Sequence, residues 1–362
     1  MKQNWQYKKL GEVATFINGY PFKPLDWKDY GKPIIRIQNL NNPDASYNFY
    51  DGSIEDKYII SKGDILISWS GSLGVYEWEK ENDAFLNQHI FKVKFDKIII
   101  SKQFFKYAAS SQINEMKNKA HGITMQHITK GEFEKTLIPV PPLSEQERIV
   151  AELDLLSGII EKQKQQLKEL DTFAQSIFYS MFGDPISNEK SWQKEVFNKI
   201  CKLSAGGDKP NDTTKFPTES NIYPIFSNSI ENEGLYGYTS IPKIKEPSIT
   251  IAGRGVMVGT PFIRKKPFFP IIRLIVATPI QKFNITFLYF LIRALKLEGN
   301  GGAIPQLTVP MISNLNLIFP PLSLQNEFAE KIEKIEQQKE AINKSIEETQ
   351  KLFDYTMDKY FG

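Results

Sequence analysis

The sequence predicts a mixed α and β fold in which two similar strand-rich domains alternate with two long helices that pair antiparallel. Three observations predict it. Residues 141–183 recur at 320–362 with a constant offset of 179 and no gap. Both copies have the spacing of a long amphipathic helix, and the stretches before them repeat the same order of short strand patterns. We therefore predict an internal pseudo-two-fold repeat with domains at 1–140 and 184–319 and helices at 141–183 and 320–362.

Both repeated segments carry start and stop signals for a helix. Each begins with Pro-Pro-Leu-Ser and ends with Phe-Gly. The proline pair disfavours helix just before the start, Ser144 or Ser323 can cap it, and Glu147 follows Ser144 at the spacing of a capping box. The final glycine can adopt the left-handed conformation that ends a helix. About 39 residues at ~1.5 Å each give a rod of roughly 58 Å.

Apolar residues within the first helix recur at alternating intervals of four and three, and the second helix has matching but less apolar positions. This is a heptad seam, and a rod with one narrow apolar stripe needs a partner rod. Duplication within one chain favours pairing of the two helices with each other, and oligomerisation between copies is the alternative. The predicted seam and subunit-interface residues are Ile149, Leu153, Leu156, Ile160, Leu167, Leu170, Ile177, Ile332, Ile335, Ile342, Ile346 and Phe353.

The composition is that of a folded protein, with 41% hydrophobic and 12% aromatic residues. The longest strongly apolar run, at 285–292, is too short to span a bilayer, and the first residues lack the apolar stretch of a signal peptide. The single cysteine, Cys201, excludes internal disulfides. We therefore expect a cytoplasmic protein.

The net charge of +3 is unevenly distributed. Residues 1–140 carry 19 Lys and Arg against 16 Asp and Glu, and residues 184–319 carry 16 against 10. The two helices carry an excess of acidic residues, with 4 basic against 7 acidic in the first and 6 against 9 in the second. A polyanion is therefore expected to bind the domains and not the helices.

Local patterns place the main segments of the first domain. Residues 31–39 predict a strand that ends in polar amides, and residues 62–74 predict a turn, a short strand and a glycine-rich polar loop. Residues 85–93 alternate as one further strand. A helix is predicted at about 102–119, followed by a loop at 121–128 just before the long helix.

The second domain repeats this order with different side chains. Residues 223–228 correspond in the repeat to the strand at 33–39, and residues 247–255 correspond to residues 63–71. An apolar helix is predicted at 286–297, before a glycine-rich loop that corresponds to the loop at 121–128. Because the framework repeats while the loops change, the two domains are predicted to recognise different targets.

These motifs together resemble the DNA sequence-specificity subunit of Type I restriction-modification systems. The resemblance rests on Pro-Pro-Leu-Ser-Glu-Gln-Glu-Arg-Ile-Val opening a long helix, on Gly-Asp-Ile-Leu-Ile-Ser at 63–68, on the glycine loop, and on the duplication of the whole. It covers essentially the full length. It implies two target-recognition domains, each reading one half of an asymmetric bipartite DNA site, held apart by two antiparallel helices.

The resemblance also implies partners. These are double-stranded DNA, two adenine methyltransferase (modification) subunits and, in the full complex, two ATP-driven restriction subunits. The helices are the expected seat of the methyltransferase contact. The chain itself is implied to be non-catalytic and without a cofactor, and S-adenosylmethionine, ATP and magnesium are expected on the partner subunits.

The geometry of DNA recognition agrees with two reading domains held apart by a helix pair. A protein that reads two half-sites must hold its reading surfaces about one DNA turn apart, ~34–36 Å, and a rigid helix pair is a suitable spacer. Positive charge on the domains supplies affinity for phosphates, which carries no sequence information. Specificity is then expected from polar and basic side chains on loops.

Candidate DNA contacts are polar or basic side chains that end predicted strands or lie on glycine-rich loops. In the first domain they are Arg36, Gln38, Asn39, Trp69, Ser70, Ser72, His121, Thr124, Gln126 and His127. In the second domain they are Ser227, Asn228, Arg254, Lys265, Lys266, Arg273, Asn300 and Gln306. Arginine, asparagine and glutamine are the side chains that grip base edges bidentately.

Most candidates have a structural alternative. Polar strand ends are common, Trp69 fits a half-buried hairpin position, and the loop at 121–128 could be a hinge or a methyltransferase contact. Lys265 and Lys266 could simply be solvated. Residues 87–89 are interpreted as framework anchors. Arg254 is the sharpest candidate, because an arginine between two glycines has no packing explanation.

Two other function classes are weighed: a self-contained methyltransferase or nuclease, and a coiled-coil interaction protein without DNA affinity. Motifs for S-adenosylmethionine binding, amino methylation and a phosphate loop are not found, and three histidines and one cysteine give no zinc-ligand spacing. A match to the metal-nuclease pattern, Pro43-Asp44 with Glu55-Asp56-Lys57, falls among turn residues and is interpreted as a surface turn. We therefore predict that the chain is not an enzyme.

Overall fold

The computed structural model describes residues 5–42, 44–119, 129–229, 231–255, 257–280, 283–301 and 305–362. Contacts divide the chain into two compact units. Unit 1 consists of Met1–Gln163 and Ser345–Gly362, and unit 2 consists of Lys164–Lys344. Each long helix therefore contributes one half to each unit. The predicted boundaries between domains and helices stay a prediction, because the units are divided within the helices.

Unit 1 contains the first strand-rich domain. Its elements are β1 (Gln6–Lys9), α1 (Leu10–Val13), β2 (Thr15–Asn18), β3 (Lys32–Ile35), α2 (Ile37–Asn41), β4 (Asn48–Tyr50), β5 (Ile59–Ile60), β6 (Ile65–Ser68), β7 (Gly74–Glu77), β8 (Ala84–Leu86), β9 (Ile90–Lys94), α3 (Lys102–Lys119), α4 (Lys130–Lys135) and β10 (Leu137–Val140). Short 3-10 helices lie at Pro24–Asp26 and Asp56–Tyr58. The first long helix, α5 (Leu143–Phe182), starts in this unit.

Unit 2 contains the second domain. Its elements are β11 (Lys194–Val196), α6 (Phe197–Ile200), β12 (Cys201–Ala205), β13 (Tyr223–Phe226), β14 (Leu235–Thr239), β15 (Ser248–Ile251), β16 (Pro261–Arg264), β17 (Phe269–Pro270), β18 (Ile275–Pro279), α7 (Ile285–Ala294), α8 (Val309–Ser313) and β19 (Asn316–Ile318). The second long helix, α9 (Leu322–Phe361), starts in this unit.

The two domains have the same topology in the main sheet and share three strands in the second sheet, which β5 extends in the first domain. The first domain has a four-stranded antiparallel sheet in the order β2-β9-β6-β7, and the second has β12-β18-β15-β16. In the second sheet of each domain, one parallel pair (β3 with β8, β13 with β17) lies beside an antiparallel neighbour, β4 or β14. The predicted internal repeat and the mixed fold class are confirmed. The equivalent strands β6 and β15 are buried at every position, which explains their continuous apolar character.

One strand prediction is wrong. Residues 85–93 were expected to form a single strand, but β8 and β9 belong to different sheets and are separated by residues 87–89. Alternating polarity cannot distinguish one strand from two strands joined by a three-residue turn. The correction matters because this turn lines a cavity described below.

Contacts inside each unit show that the two long helices run antiparallel. In unit 1, Arg148 Nη2 donates to Tyr360 Oη at 3.1 Å, and Gln163 Nε2 donates to Ser345 Oγ at 2.7 Å. Partner numbers therefore fall along α9 as they rise along α5. In unit 2, Lys339 forms an ion pair with Asp171 at 2.9 Å. Further along α5, the Phe178 ring lies 5.7 Å from that of Phe328, which comes earlier on α9. The predicted antiparallel pairing is confirmed in both units.

The seam residues predicted from the heptads are turned inward. Ile149, Leu153, Leu156 and Ile160 on α5 are buried, as are Ile332 and Ile335 on α9, and the other six are half-buried. Ile149 and Leu153 belong to the core of the first domain, and Ile332 and Ile335 belong to the core of the second. These residues therefore pack within the chain, and a role of the seam in a subunit interface stays a prediction.

The glutamine repeated in both Pro-Pro-Leu-Ser segments fastens each helix to its domain. Gln146 Oε1 accepts from the Ser101 N–H at 2.9 Å, and its Nε2 donates to the Pro141 carbonyl at 2.8 Å. Gln325 accepts from the Asn284 N–H at 2.9 Å and donates to the Pro320 carbonyl at 2.9 Å. Both side chains are buried. The repeated glutamine thus forms hydrogen bonds with backbone groups that would otherwise be buried without a partner.

No helix in the described part of the chain has the length and apolar character needed to cross a membrane.

Candidate nucleic-acid interface

The Arg254 loop of the second domain is fixed between two neighbouring loops. The Gly253 N–H donates to Asn228 Oδ1 at 2.8 Å, and the Leu307 N–H donates to the Gly253 carbonyl at 2.9 Å. A Cβ at Gly253 would lie 2.9 Å from the carbonyl oxygen of Arg273 and 3.1 Å from that of Leu307. Only glycine fits there, so the exposed Arg254 side chain is presented from a tightly held backbone.

Two further predicted residues close the other side of the Arg254 loop. Arg254 forms a β-bridge with Gln306, which in turn bridges Asn300. Asn300 Oδ1 also accepts from the Gln306 N–H at 3.1 Å. The structure therefore brings together three residues that lie up to 52 positions apart in the sequence.

A cavity of about 390 Å³ opens beside this loop. Its lining residues are Gly206, Gly207, Asp208, Lys209, Tyr236, Arg254, Ile271, Ile272 and Arg273. Three cationic side chains therefore surround one carboxylate. In the described part of the chain, neither Arg254 nor Arg273 forms an ion pair. We call this set, with Asn228, Asn300 and Gln306, the Arg254 surface.

Asn228 holds the two arginine-bearing loops of the Arg254 surface together. Its Nδ2 donates to the Ile272 carbonyl at 2.5 Å, while its Oδ1 accepts from Gly253. The side chain thus joins the residue before Arg254 to the residue before Arg273. Asn228 has a structural role in placing both arginines, and its predicted contact with DNA stays a prediction. Ser227 is half-buried and its N–H donates to the Gly234 carbonyl at 2.8 Å.

A buried arginine supports this region from within the sheet. Arg264 lies with its guanidinium carbon 3.7 Å from the ring centre of Phe226, donates from Nε to Thr250 Oγ1 at 3.1 Å, and pairs with Glu233 at 3.0 Å. Burial lowers the pKa of Arg264, and the Glu233 carboxylate acts in the opposite direction. Arginine still stays protonated at neutral pH. The carbonyl of Phe226 accepts from the Ile271 N–H at 2.9 Å, so this anchor reaches the Arg273 loop.

The first domain has a cavity of about 380 Å³. Its lining residues are Phe22, Trp27, Arg36, Ile37, Gln38, Asn87, Gln88, His89 and Ile90. The Arg36 guanidinium lies 4.9 Å from the ring centre of Trp27, and Gln38 and His89 are exposed. The two predicted contacts, Arg36 and Gln38, are thus joined by residues 87–89, which were expected only to anchor the framework.

Two predicted contacts of the first domain are corrected by their burial. Asn39 is 5% exposed, its Oδ1 accepts from the Arg36 N–H at 3.1 Å, and its Nδ2 donates to the Ser46 carbonyl at 3.1 Å. Ser70 is 9% exposed. Neither side chain is accessible to a base edge. Asn39 lies in the short helix α2 with its amide turned toward the backbone of Arg36 and Ser46, while its neighbour Gln38 stays exposed.

Trp69 is half-buried, as the structural alternative expected. Its ring lies 5.4 Å from that of His89 and stacks on Phe91 at 5.7 Å, and its indole N–H has no partner among the described residues. Trp69 therefore supports His89 at the rim of the first cavity. Ser72 is exposed, while its carbonyl accepts a hydrogen bond from Ser68 Oγ.

The two cavities occupy equivalent places in the two domains. In each, a glycine follows the first strand of the main sheet and allows another chain segment to approach. A Cβ at Gly19 would lie 2.1 Å from the Asn87 carbonyl oxygen, and one at Gly206 would lie 2.7 Å from the Ile271 nitrogen. Parallel bridges then join Tyr20 to Asn87 and Gly207 to Ile271. One scaffold therefore carries the same opening twice, lined by different side chains.

Some predicted residues lie elsewhere. Lys265 and Lys266 are exposed and line another cavity of unit 2, together with Glu336 and Lys339 of α9. They do not join the Arg254 surface. The four predicted residues of the loop before α5 lie outside the described residues: His121, Thr124, Gln126 and His127.

The structure adds residues that sequence reasoning missed. Lys209 and Tyr236 line the cavity of the Arg254 surface, and Trp27 lines that of the first domain. The pair Gly206-Gly207 directly before Asp208-Lys209 is a turn signal that could have identified Lys209. No local signal identifies Tyr236, because it lies on a strand that reaches the cavity only through sheet pairing.

The metal-nuclease match does not form a metal site among the described residues. Pro43 lies outside them, Asp44 and Glu55 are exposed, and Glu55 pairs with Lys57 at 2.7 Å. In the described ranges, no group of three or more His, Cys, Asp or Glu side chains is arranged to hold a metal ion.

The chain is similar in sequence to known proteins of one kind. A family model, Type I restriction modification DNA specificity domain, matches residues 2–171 and again residues 187–350. A Mycoplasma pneumoniae protein named as type I specificity subunit S.MpnORF89P is 29% identical over 288 residues, which are 72% of this chain and 80% of that protein.

Two solved structures have a similar fold. The S subunit of a Type-I restriction-modification system from M. genitalium matches with a TM-score of 0.57 and 16% identity, covering 99% of this chain and 96% of that one. A chain from a study of complex assembly and conformational transition of the type I R-M system matches with a TM-score of 0.60 and 16% identity, covering 99% and 98%. These likenesses support the repeated fold.

The resemblance found in the motifs is confirmed by the two family matches, which fall on the two halves of the repeat. The relatives are named as specificity subunits, in agreement with the prediction that the chain is the specificity subunit of such a system. The chain belongs to the Type I restriction modification DNA specificity domain family.

Proposed function

We propose that the chain reads a bipartite DNA site through two equivalent surfaces, one around Arg254 in the second domain and one around Arg36, Gln38 and His89 in the first. Each surface would read one half of the site, and the chain would direct the enzymes of a type I restriction-modification complex to that site. A spacer role for the paired helices, and a cytoplasmic location, are part of this proposal.

One observation carries the proposal. The same opening in the same scaffold occurs twice, and basic side chains line it in both domains. Amide side chains line it in the first domain and lie on the loops beside Arg254 in the second. A packing requirement would favour the same residues in both copies. Two readers of different sequences require different ones, and arginine with glutamine or asparagine is the chemistry that distinguishes base edges.

Salt dependence of DNA binding tests the electrostatic part of this proposal. Lys209→Ala and Arg273→Ala each remove one cation from the cavity rim, and each is expected to reduce the slope of log K against log salt by about 1. The measurement is fluorescence anisotropy of the full-length chain on a pool of random duplexes between 50 and 200 mM salt, a range in which about 6–10 phosphate contacts cost about 10³–10⁵ in affinity.

Lys334→Ala is the matched control, because Lys334 is an exposed lysine on α9 within the same unit. Its slope should equal that of the unmodified chain. Affinity that does not change with salt would contradict contacts with phosphates. No binding at all would leave the chain as an interaction protein without DNA affinity. Methyl transfer by the purified chain alone would instead favour the enzyme alternative.

We further propose the composition of the complex. Two methyltransferase subunits and, in the full complex, two restriction subunits would bind the chain, and they would hold S-adenosylmethionine, ATP and magnesium. One of the solved chains of similar fold comes from work on assembly of a type I R-M system. The absence of catalytic motifs in this sequence supports leaving the cofactors to the partners.

The half of the helix pair in unit 1 has an exposed apolar face suited to the methyltransferase contact. Leu155 and Ile159 of α5 are 65% and 36% exposed, and Leu352 and Tyr355 of α9 are 52% and 67% exposed. Each directly precedes a seam position, and in an antiparallel pair such positions fall on the same side. Four neighbouring apolar side chains on one face are more than scattered surface exposure.

Leu155→Lys combined with Tyr355→Lys is therefore expected to weaken methyltransferase binding at least about 10-fold, or ~1.4 kcal/mol, because an interface tyrosine is lost and two unpaired charges would be buried. Isothermal titration with the purified methyltransferase subunit measures it. Ile99→Lys is the control, since Ile99 is 82% exposed and lies outside the helices. Equal losses in both variants would place the contact elsewhere.

A further inference from the structure

Ile272 adopts a backbone conformation that its side chain disfavours. It lies in the loop between β17 and β18 with φ of 51°, and the next residue, Arg273, has φ of 58°. Branching at Cβ makes this left-handed region costly for isoleucine. Burial does not compensate, because the Ile272 side chain is 50% exposed. A strained and solvent-exposed isoleucine needs another reason for its position.

The surrounding structure fixes this loop from both sides. The Ile272 N–H donates to the Gly207 carbonyl at 2.8 Å, and the Arg273 N–H donates to the Gly206 carbonyl at 2.9 Å. Asn228 holds the Ile272 carbonyl. The flanking residues Ile271 and Leu274 are 1% and 2% exposed. Buried neighbours and paired backbone groups therefore hold Ile272 outward against its own preference.

The residues around Ile272 indicate what kind of binding partner it contacts. It lines the same cavity as Arg254, Arg273 and Lys209. A partner that covers this apolar tip among the cations of the cavity must offer negative charge and an apolar group within a few ångströms. DNA offers phosphates, and the one apolar group on its base edges in the major groove is the C5-methyl of thymine.

We propose that Ile272 is a specificity-determining residue that contacts a thymine methyl group in the half-site read by the second domain. This inference rests on the proposed DNA-reading function of the Arg254 surface and adds an apolar contact to its polar ones. The equivalent turn of the first domain has Gln88 in place of this isoleucine and no residue with positive φ. The thymine contact is therefore a property of the second domain alone.

Replacing thymine by uracil tests the contact, because the two bases differ only by the methyl group. Duplexes are first selected from a random pool with the full-length chain, and each thymine of the second half-site is then replaced by uracil. Burial of one methyl group corresponds to about 4-fold in affinity. We expect the unmodified chain to lose about 4-fold at one position, and Ile272→Ala to bind the two duplexes equally. Uracil placed in the gap between the half-sites is the control.

Ile272→Gly separates recognition from folding. Glycine accepts a positive φ without strain, so the midpoint of thermal unfolding should rise by about 2–4 °C while discrimination between thymine and uracil is lost. If the glycine variant keeps the discrimination, or if the unmodified chain does not distinguish the duplexes, this inference is overturned and DNA reading stands. If the chain selects no duplexes, the proposed function itself fails.

Discussion

Replacing Arg254 with alanine is expected to relax recognition at one half of the DNA site by about 5- to 150-fold and to leave the other half unchanged. This range corresponds to the ~1–3 kcal/mol that a bidentate arginine contact contributes to discrimination between bases. The Arg254 side chain is exposed, lines the cavity, and is carried by a loop in which Gly253 leaves no room for a Cβ. Its position is therefore set before DNA binds.

The measurement is selection of bound duplexes from a random pool, followed by comparison of base preferences at each position. Arg254→Lys keeps the charge but loses the planar fork, so it should relax the same half while changing the salt dependence little. Lys266→Ala is the control, because Lys266 is an exposed cation of the same unit outside the cavity. An equal loss at both halves would mean that Arg254 contacts phosphate or supports the fold.

The long helices could be predicted closely because several independent signals agree on them. The heptad seam, the proline pairs and the terminal glycines place helices at 141–183 and 320–362, and the structure has Leu143–Phe182 and Leu322–Phe361. Their pairing with each other followed from duplication within one chain, and the family resemblance implied that they run antiparallel. The repeat of the domains was also visible, because the order of strand patterns survives when the loops differ.

The site was predicted only in part. Arg254 was found because glycines on both sides are a local signal, and its partners Asn300 and Gln306 were found through the repeat. Local signals could not show that Asn39 turns inward to bind the backbone at Arg36 and Ser46, or that residues 87–89 form a turn between sheets. Those outcomes depend on sheet pairing between distant segments, which no short window of sequence contains.

Positive φ is a second property that the sequence does not show. Nothing in Ile271-Ile272-Arg273 marks the middle residue as left-handed, and alternation would bury it. The conformation arises because Gly206 and Gly207 draw the loop in from one side and Asn228 holds it from the other. Sequence reasoning therefore located the arginines of this surface but missed the isoleucine between them.

Phe178→Ala is expected to lower the free energy of unfolding by about 3–5 kcal/mol, the cost of removing a fully buried aromatic side chain. Phe178 is 0% exposed on α5, and its ring lies 5.7 Å from Phe328 of α9 and 5.8 Å from Phe287 of α7. One ring thus joins both long helices to the core of the second domain within unit 2. Urea unfolding followed by circular dichroism measures the change.

Phe173→Ala on the same helix is the matched control, since Phe173 is 55% exposed and five residues before Phe178. Its cost should stay within about 0.5 kcal/mol, the usual range for surface substitutions. Similar costs in the two variants would show that packing along α5 as a whole, and not the aromatic cluster around Phe178, stabilises the domain. A large cost at Phe178 alone means that the aromatic cluster fixes the helix pair to the domain that carries Arg254, so the placement of the Arg254 surface depends on packing against the helix.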